Sequence, residues 1–186
     1  MIAIVSGPGG VGKGTVVARL LELEPGLRLS RSWTTRPQRP GEPDGAYVFA
    51  DRAEFERRIA DGGFLEWTPY PGTGHLYGTP TLDDESDGAR DRAPIVLEIE
   101  LDGAQQVKAV HPDAVLILIV APSPEARAVR LRKRGDDEQS VARRMEVGAR
   151  EERLGRQLAD HVVVNDDVDR AAQEVAGILR GHQTGG

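Results

Sequence analysis

The sequence predicts an α/β protein: a doubly wound parallel sheet of about five strands, carrying an inserted small mixed-sheet lobe and a helical lid. Three observations support this. Short apolar runs alternate with amphipathic helical stretches along the second half of the chain. The chain opens on an apolar run, a glycine-rich turn and a helical pattern. Residues 30 to 90 break the alternation with a Gly- and Pro-rich stretch too long for a structureless loop in a compact domain, so it reads as a lobe with its own small sheet.

Ile2-Ala3-Ile4-Val5 reads as the first strand. It runs into Ser6-Gly7-Pro8-Gly9-Gly10-Val11-Gly12-Lys13-Gly14-Thr15, and then into a helix with apolar positions Val16, Val17, Leu20, Leu21 and Leu23. Glycines let successive backbone N–H groups curl around an anionic oxygen cluster without Cβ interference. The helix points its positive N-terminus at the same place. Lys13 adds a mobile cation, and it is one of only three lysines (with Lys108 and Lys133) among 24 basic residues. The spacing is that of a phosphate-binding loop that grips a nucleoside triphosphate, with Gly7 to Thr15 as its residues. Position 14 is glycine where the pattern has Ser or Thr. The hydroxyl comes one residue later, at Thr15, which makes Thr15 the candidate metal contact, directly or through water.

Beyond the lobe, Ile95 to Ile99, Ala114 to Val120 and His161 to Val164 read as buried parallel strands. Helical patterns fall at Asp102 to Val110, Ser123 to Arg134, Gln139 to Leu158 and Asp167 to Leu179, with Ser123-Pro124 and Asp167 as helix starts. The polar tail from His182 to Gly186 reads as frayed. Within the lobe, Tyr47 to Phe49 and Phe64 to Trp67 read as extended, and Ala53 to Ala60 as a short helix.

Composition limits the possibilities. At 186 residues, 39% hydrophobic and 29% charged, the chain is an ordinary soluble protein. It has no run near the roughly 20 apolar residues of a membrane helix. The start leads straight into a strand rather than a signal peptide, and the absence of cysteine fits a cytoplasmic location and excludes thiolate chemistry. A net charge of −6 argues against nucleic acid as a partner. Local basic patches, Arg28, Arg31, Arg36 and Arg39 and then residues 127 to 134, suit small anionic ligands. The four histidines have no metal-ligand spacing and read as structural or exposed. Arg150, Arg153 and Arg156 read as a solvated helix face, paired with Glu151 and Glu152.

In Ser30 to Glu42, Arg36 and Arg39 stand three apart, each next to a proline, a placement suited to planar, multidentate grip on a phosphate monoester. Tyr47 can add a phenolic donor.

The ordered set of motifs resembles the guanylate kinase family. They are Ser32 to Glu42, Phe64-Leu65-Glu66-Trp67, Tyr77-Gly78-Thr79, Leu97 to Ala104, Arg130 to Gly135 and Val164 to Asp167. The resemblance implies one domain over 1–186, with a core of 1–29 and 91–186, a GMP-binding lobe over about 30–90 and a lid over about 130–150. It implies Ser32, Arg36, Arg39, Glu42, Tyr47, Glu66, Tyr77, Gly78, Thr79, Glu98 and Glu100 at the GMP side, and Lys13, Arg36, Arg134 and Arg144 as catalytic cations, with Arg132 and Arg143 as weaker candidates. The implied partners are the small molecules ATP and GMP, the former as co-substrate with Mg²⁺. No membrane is involved, and the oligomeric state is open. The chemistry is consistent: a carboxylate such as Glu66 can accept from N1 and N2 of guanine together but meets a lone pair on adenine, and a site built to bond a polar edge rejects the wrong base by roughly 10⁴-fold.

The chain departs from the family pattern at Glu100 (in place of aspartate), at Asp102, at His75-Leu76 and in the lengths before Tyr47 and within the lid. Two alternatives therefore stand beside a GMP kinase. One is a guanylate-kinase-like binding module without turnover; the other is a kinase for a different phosphorylated nucleoside or ribose acceptor.

Overall fold

The computed structural model describes residues 1–39, 41–42, 44–70, 73–82 and 93–184. The expected boundary between lobe and core near residue 90 therefore lies outside the described residues, as do Gly185 and Gly186.

Five strands form an all-parallel sheet in the order β2 (Arg28–Leu29), β7 (Ile95–Glu98), β1 (Ile2–Ser6), β8 (Val115–Val120), β9 (His161–Val164). Its alternation is readable along β1. Ala3 and Val5 pack with Val16, Val17 and Leu20 of α1 (Lys13–Leu23) and with Ala171, Val175 and Leu179 of α6 (Val168–Thr184). Ile4 faces the other way, into a cluster with Leu97, Leu116 and Ala104 and Val107 of α3 (Leu101–Val110). Both faces are covered, which is why these strands read as unbroken apolar runs. All parallel strands end their C-terminal edges on one side, where the open-sheet rule puts ligands.

A second, mixed sheet runs β4 (Val48–Phe49), β3 (Trp33–Thr34), β6 (Leu76–Pro80), β5 (Phe64–Pro69). The β3–β4 pair is parallel, and β6 pairs antiparallel with both β3 and β5. Against it lies α2 (Arg52–Ala60), started by Asp51, whose carboxylate accepts from the Glu54 N–H at 2.7 Å. Phe55 of α2 is fully buried and stacks on Phe64 with centroids 4.5 Å apart. These rings explain Gly78, where a Cβ would stand 3.0 Å from both.

The remaining helices are α4 (Pro124–Lys133), capped by Ser123, and α5 (Glu138–Leu158), capped by Asp137. Close packing of α5 on the core needs small residues: a Cβ on Gly155 would meet Leu118 at 2.6 Å. The expected elements lie within a few residues of the observed ones, apart from the short β2, β3 and the whole of β6, which were not anticipated. One correction falls at the C-terminus. The tail expected to fray from His182 is helical through Thr184, and His182 meets His161 of β9 with their Nε2 atoms 3.1 Å apart.

Candidate active site

The phosphate loop joins β1 to α1 at the C-terminal edge of the parallel sheet. Gly7 has φ +147°, and a Cβ there would stand 2.2 Å from the Ile119 carbonyl oxygen, so the loop leaves the strand against β8 through a position only glycine fits. The loop's carbonyls are held from behind. Asn165, buried at the end of β9, donates to the Val11 carbonyl at 2.8 Å. Arg130 of α4 donates to the same carbonyl and to that of Asn165, each at 2.8 Å. Asn165 of the Val-Asn-Asp-Asp stretch and Arg130 thus share a task, bracing the loop.

Position 14 has a physical reason to lack a side chain. A Cβ there would lie 3.3 Å from Glu98 Oε1, so a carboxylate from β7 occupies the space a hydroxyl side chain would use. Burial pushes the Glu98 carboxyl above its ordinary range, with the nearby Lys13 cation pulling the other way. Lys13 Nζ donates to the Gly7 carbonyl at 2.5 Å and to Glu100 Oε1 at 2.9 Å.

A cavity of about 560 Å³ opens between the loop and the mixed sheet. Gly9 and Lys13 line it on the loop side, Arg134 and Arg144 on the lid side, and Ser32, Arg36, Arg39, Tyr47, Glu66, Tyr77, Gly78, Glu98 and Glu100 on the lobe side and floor. The structure thus gathers residues from six separated sequence motifs into one space. Volume and mixed polarity suit a small polar ligand.

Within the lobe the charges are already paired. Arg36 is only 8% exposed; its guanidinium donates in bidentate fashion to Glu42 at 2.8 and 2.5 Å and lies over the Tyr47 ring, 5.0 Å from the centroid. The Arg36 guanidinium holds Glu42 well below the usual carboxylate range, at about 2, with the Arg39 N–H donating to it as well. Burial, with the Glu98 charge adding, pushes the Tyr47 phenol up to about 12. Glu66, 5% exposed, accepts the Thr79 hydroxyl at 2.6 Å across the β5–β6 register, and burial raises its carboxyl above the ordinary range. Gly103 in the first turn of α3 makes room for it, since a Cβ there would stand 2.5 Å from Glu66 Oε2.

Not every expected residue lines the cavity. Glu42 and Thr79 stand behind Arg36 and Glu66 and orient them. Gly7, Pro8, Gly10, Val11 and Gly12 shape the loop without lining the cavity, and Thr15 is exposed on α1 outside it. Arg132 is an exposed partner of Glu138 at 2.7 Å, and Arg143 is exposed. Glu151 differs from its expected surface pairing. It is half-buried, pushed up by burial, and feels the charges of Glu100, Lys13 and Arg127, whereas Glu152 pairs with Arg156 at 2.8 Å as expected. Its place on α5, between the buried Gly148 and Gly155, was a spacing signal. Thr68, Tyr70 and Thr73 also line the cavity, although nothing in their sequence context marks them, and so does His75, one of the positions where the chain departs from the family pattern.

A braced glycine-rich loop at the sheet edge, facing Arg36 and Arg39 of the lobe with Arg134 at the end of α4 and Arg144 on α5 around one cavity, is the arrangement of a P-loop nucleoside monophosphate kinase. The comparisons narrow the class. The family model for guanylate kinase matches residues 1–182. The chain is 43% identical to the guanylate kinase of Rubrobacter xylanophilus over 186 residues, covering all of this chain and 96% of that one. It is 43% identical to that of Symbiobacterium thermophilum over 181 residues, covering 96% and 84%. A crystal structure of guanylate kinase from Anaplasma phagocytophilum superposes with a TM-score of 0.77 at 31% identity, over 98% of this chain and 86% of that one. The chain belongs to the guanylate kinase family.

Proposed function

We propose that this chain transfers the γ-phosphoryl group of ATP to GMP, and to dGMP, releasing ADP and GDP or dGDP. The observation that carries the reading is the sharing of one cavity by Lys13 of the phosphate loop and the buried carboxylate of Glu66. As a carboxylate, Glu66 would accept from N1 and N2 of guanine, with Thr79 fixing its orientation and Ser32 lining the same cavity. Arg36, Arg39, Tyr47 and Tyr77 take the acceptor phosphate, Glu42 holding the Arg36 fork in plane. The loop from Gly7 to Thr15 takes the donor phosphates.

An acceptor phosphate oxygen attacks the γ-phosphorus, the bond from that phosphorus to the β–γ bridging oxygen breaks, and its electron pair leaves with ADP. The transition state is loose, so the work is positioning and charge stabilisation, supplied by Lys13, Arg36, Arg134 and Arg144. Approach of lobe and lid excludes water that would hydrolyse ATP. Mg²⁺ suits this site, because Glu98 and Glu100 in the cavity offer only hard oxygen donors, whereas the Thr15 hydroxyl lies outside it. Held there with ATP, directly or through water, it would neutralise charge on the β- and γ-phosphates. Among the described residues no helix is long and apolar enough to cross a membrane, and the lack of cysteine supports a cytoplasmic setting.

The test is a coupled assay of ADP release against a panel of nucleoside monophosphates. Turnover with GMP and dGMP is expected, with AMP disfavoured by roughly 10⁴-fold. Silence with every acceptor would instead make the chain a binding module, and faster turnover of another acceptor would reassign the base site.

A further inference from the structure

Among the described residues the two buried arginines are Arg36 and Arg127. Arg36 has a carboxylate partner and a place in the cavity. Arg127, in the middle of α4 and 3% exposed, has neither. Its Nε–H donates to the Gly9 carbonyl at 3.0 Å and its Nη2–H to the Arg144 carbonyl. Burial lowers its affinity for the proton, and the only carboxylates acting against that are Glu151 and Glu152, neither of them in an ion pair with it. A buried charge without a direct counter-charge is costly, and an apolar side chain would fill the space without that cost. A packing role does not account for a guanidinium here.

Its two acceptors do. Gly9 belongs to the phosphate loop and Arg144 to the lid helix α5, and both line the cavity. One planar fork holds both carbonyls, fixing the spacing between the two elements. The Gly9–Gly10 peptide is trans, so turning the Gly9 carbonyl toward Arg127 turns the Gly10 N–H the opposite way. On α5, Gly148 lies one turn beyond Arg144. A Cβ there would stand 1.8 Å from Arg127 Nη2 and 2.4 Å from Cζ. The glycine and the arginine fit only as a pair.

We propose that Arg127 is a positioning residue for phosphoryl transfer: it locks the phosphate loop and the lid helix at one spacing, so that Arg144 meets the phosphates held by the loop at a set distance. The proposal rests on the roles given above to the loop and to Arg144. It is tested by a double-mutant cycle of Arg127→Met and Arg144→Met, read as kcat and KM for each substrate, with thermal melts to establish folding. Arg127→Met should lower kcat by roughly 10- to 100-fold, the scale of an ångström of misplacement. KM for GMP should stay within about twofold, since no contact to the acceptor is removed. Arg127→Lys, whose ammonium cannot span both carbonyls, should fall between parent and Met. In the Arg144→Met background the further loss should shrink to about threefold or less, because the side chain being positioned is gone.

An additive cycle, or a folded Arg127→Met enzyme with parental kcat, would overturn the proposal while leaving the assigned reaction intact. If Arg144→Met alone left kcat unchanged, the role given to Arg144 would fall, and the proposal with it. Should Arg127→Met fail to fold, Gly148→Ala displaces the guanidinium without removing it and takes its place in the cycle, with the same expected loss and the same contradicting result.

Discussion

The two walls of the cavity are built on different principles. The loop wall is backbone. Its glycines give it shape, and Asn165, Arg127 and Arg130 hold its carbonyls from behind, so its donors are set before a ligand arrives. The lobe wall is side chain. Its polar groups are satisfied by one another, the Arg36 guanidinium by the Glu42 carboxylate and the Glu66 carboxyl by the Thr79 hydroxyl, and some of those bonds must be shared with a ligand when it enters. A triphosphate looks the same on any nucleotide, so a rigid backbone cradle suffices for it. A base edge must be discriminated, and that takes buried side-chain groups that are costly to leave unpaired.

The comparison predicts which constants each wall controls. The largest effect belongs to the loop. Lys13→Ala should cut kcat by roughly 10²- to 10³-fold, the scale of losing one charge-stabilising donor in a dry site, in steady-state assays. Activity above half the parent's would break the assignment of this wall to the donor.

Next comes Glu66. Its carboxyl is raised by burial, so it takes up its proton at a higher pH than an ordinary carboxylate. On acidification GMP affinity should therefore begin to fall at a pH above the ordinary carboxylate range, with ATP affinity changing less. Parallel decline of the two in pH-dependent titrations would remove Glu66 from the base site.

Arg36→Lys keeps the charge but loses the bidentate fork, and KM for GMP should rise by about tenfold or more, whereas Arg150→Lys on the exposed face of α5 should be silent. The reverse ranking would mean that site and surface arginines have been confused. The same pair sets an acid-stability signature. Glu42 falls from an ordinary carboxylate value to about 2 in the fold, so its contribution is present above the ordinary range and is lost as pH drops toward 2. Glu42→Gln should remove that dependence from melts recorded between those limits.

The smallest effect is at Glu100. Its extra methylene reaches Lys13 at 2.9 Å, with half of its side chain exposed. Glu100→Asp should release Lys13 and change KM for ATP by no more than about fivefold, as half-exposed ion pairs contribute little. A larger change confined to GMP would move Glu100 to the base wall.

How much of this was legible before the fold was known follows the same division. The inner strands β1, β7 and β8 of the parallel sheet announce themselves because both faces are buried, whereas the two-residue edge strand β2 does not, and the phosphate loop is legible because only glycines permit its turns. The lobe was legible as motifs and as an insertion with its own small mixed sheet, but not strand by strand. β6 is Leu76-Tyr77-Gly78-Thr79-Pro80, whose glycine and proline argue against a strand, yet Gly78 is required by the rings of Phe55 and Phe64 beneath it. Arg127 was hidden for another reason. Local sequence cannot separate a buried arginine from the solvated ones beside it in a basic run; the usable signal lay twenty-one residues on, at Gly148 in the middle of a long helix.

The most direct test of the two-wall account is a calorimetric titration of ATP and GMP, each against Lys13→Ala and Glu66→Gln. The account predicts a crossed result. Glu66→Gln should lose roughly 2–5 kcal/mol of GMP affinity and keep that for ATP, because its amide turns a donor toward a donor edge. Lys13→Ala should weaken ATP and keep GMP. If either variant weakened both nucleotides equally, the walls would not be separate donor and acceptor sites, and the account would be contradicted.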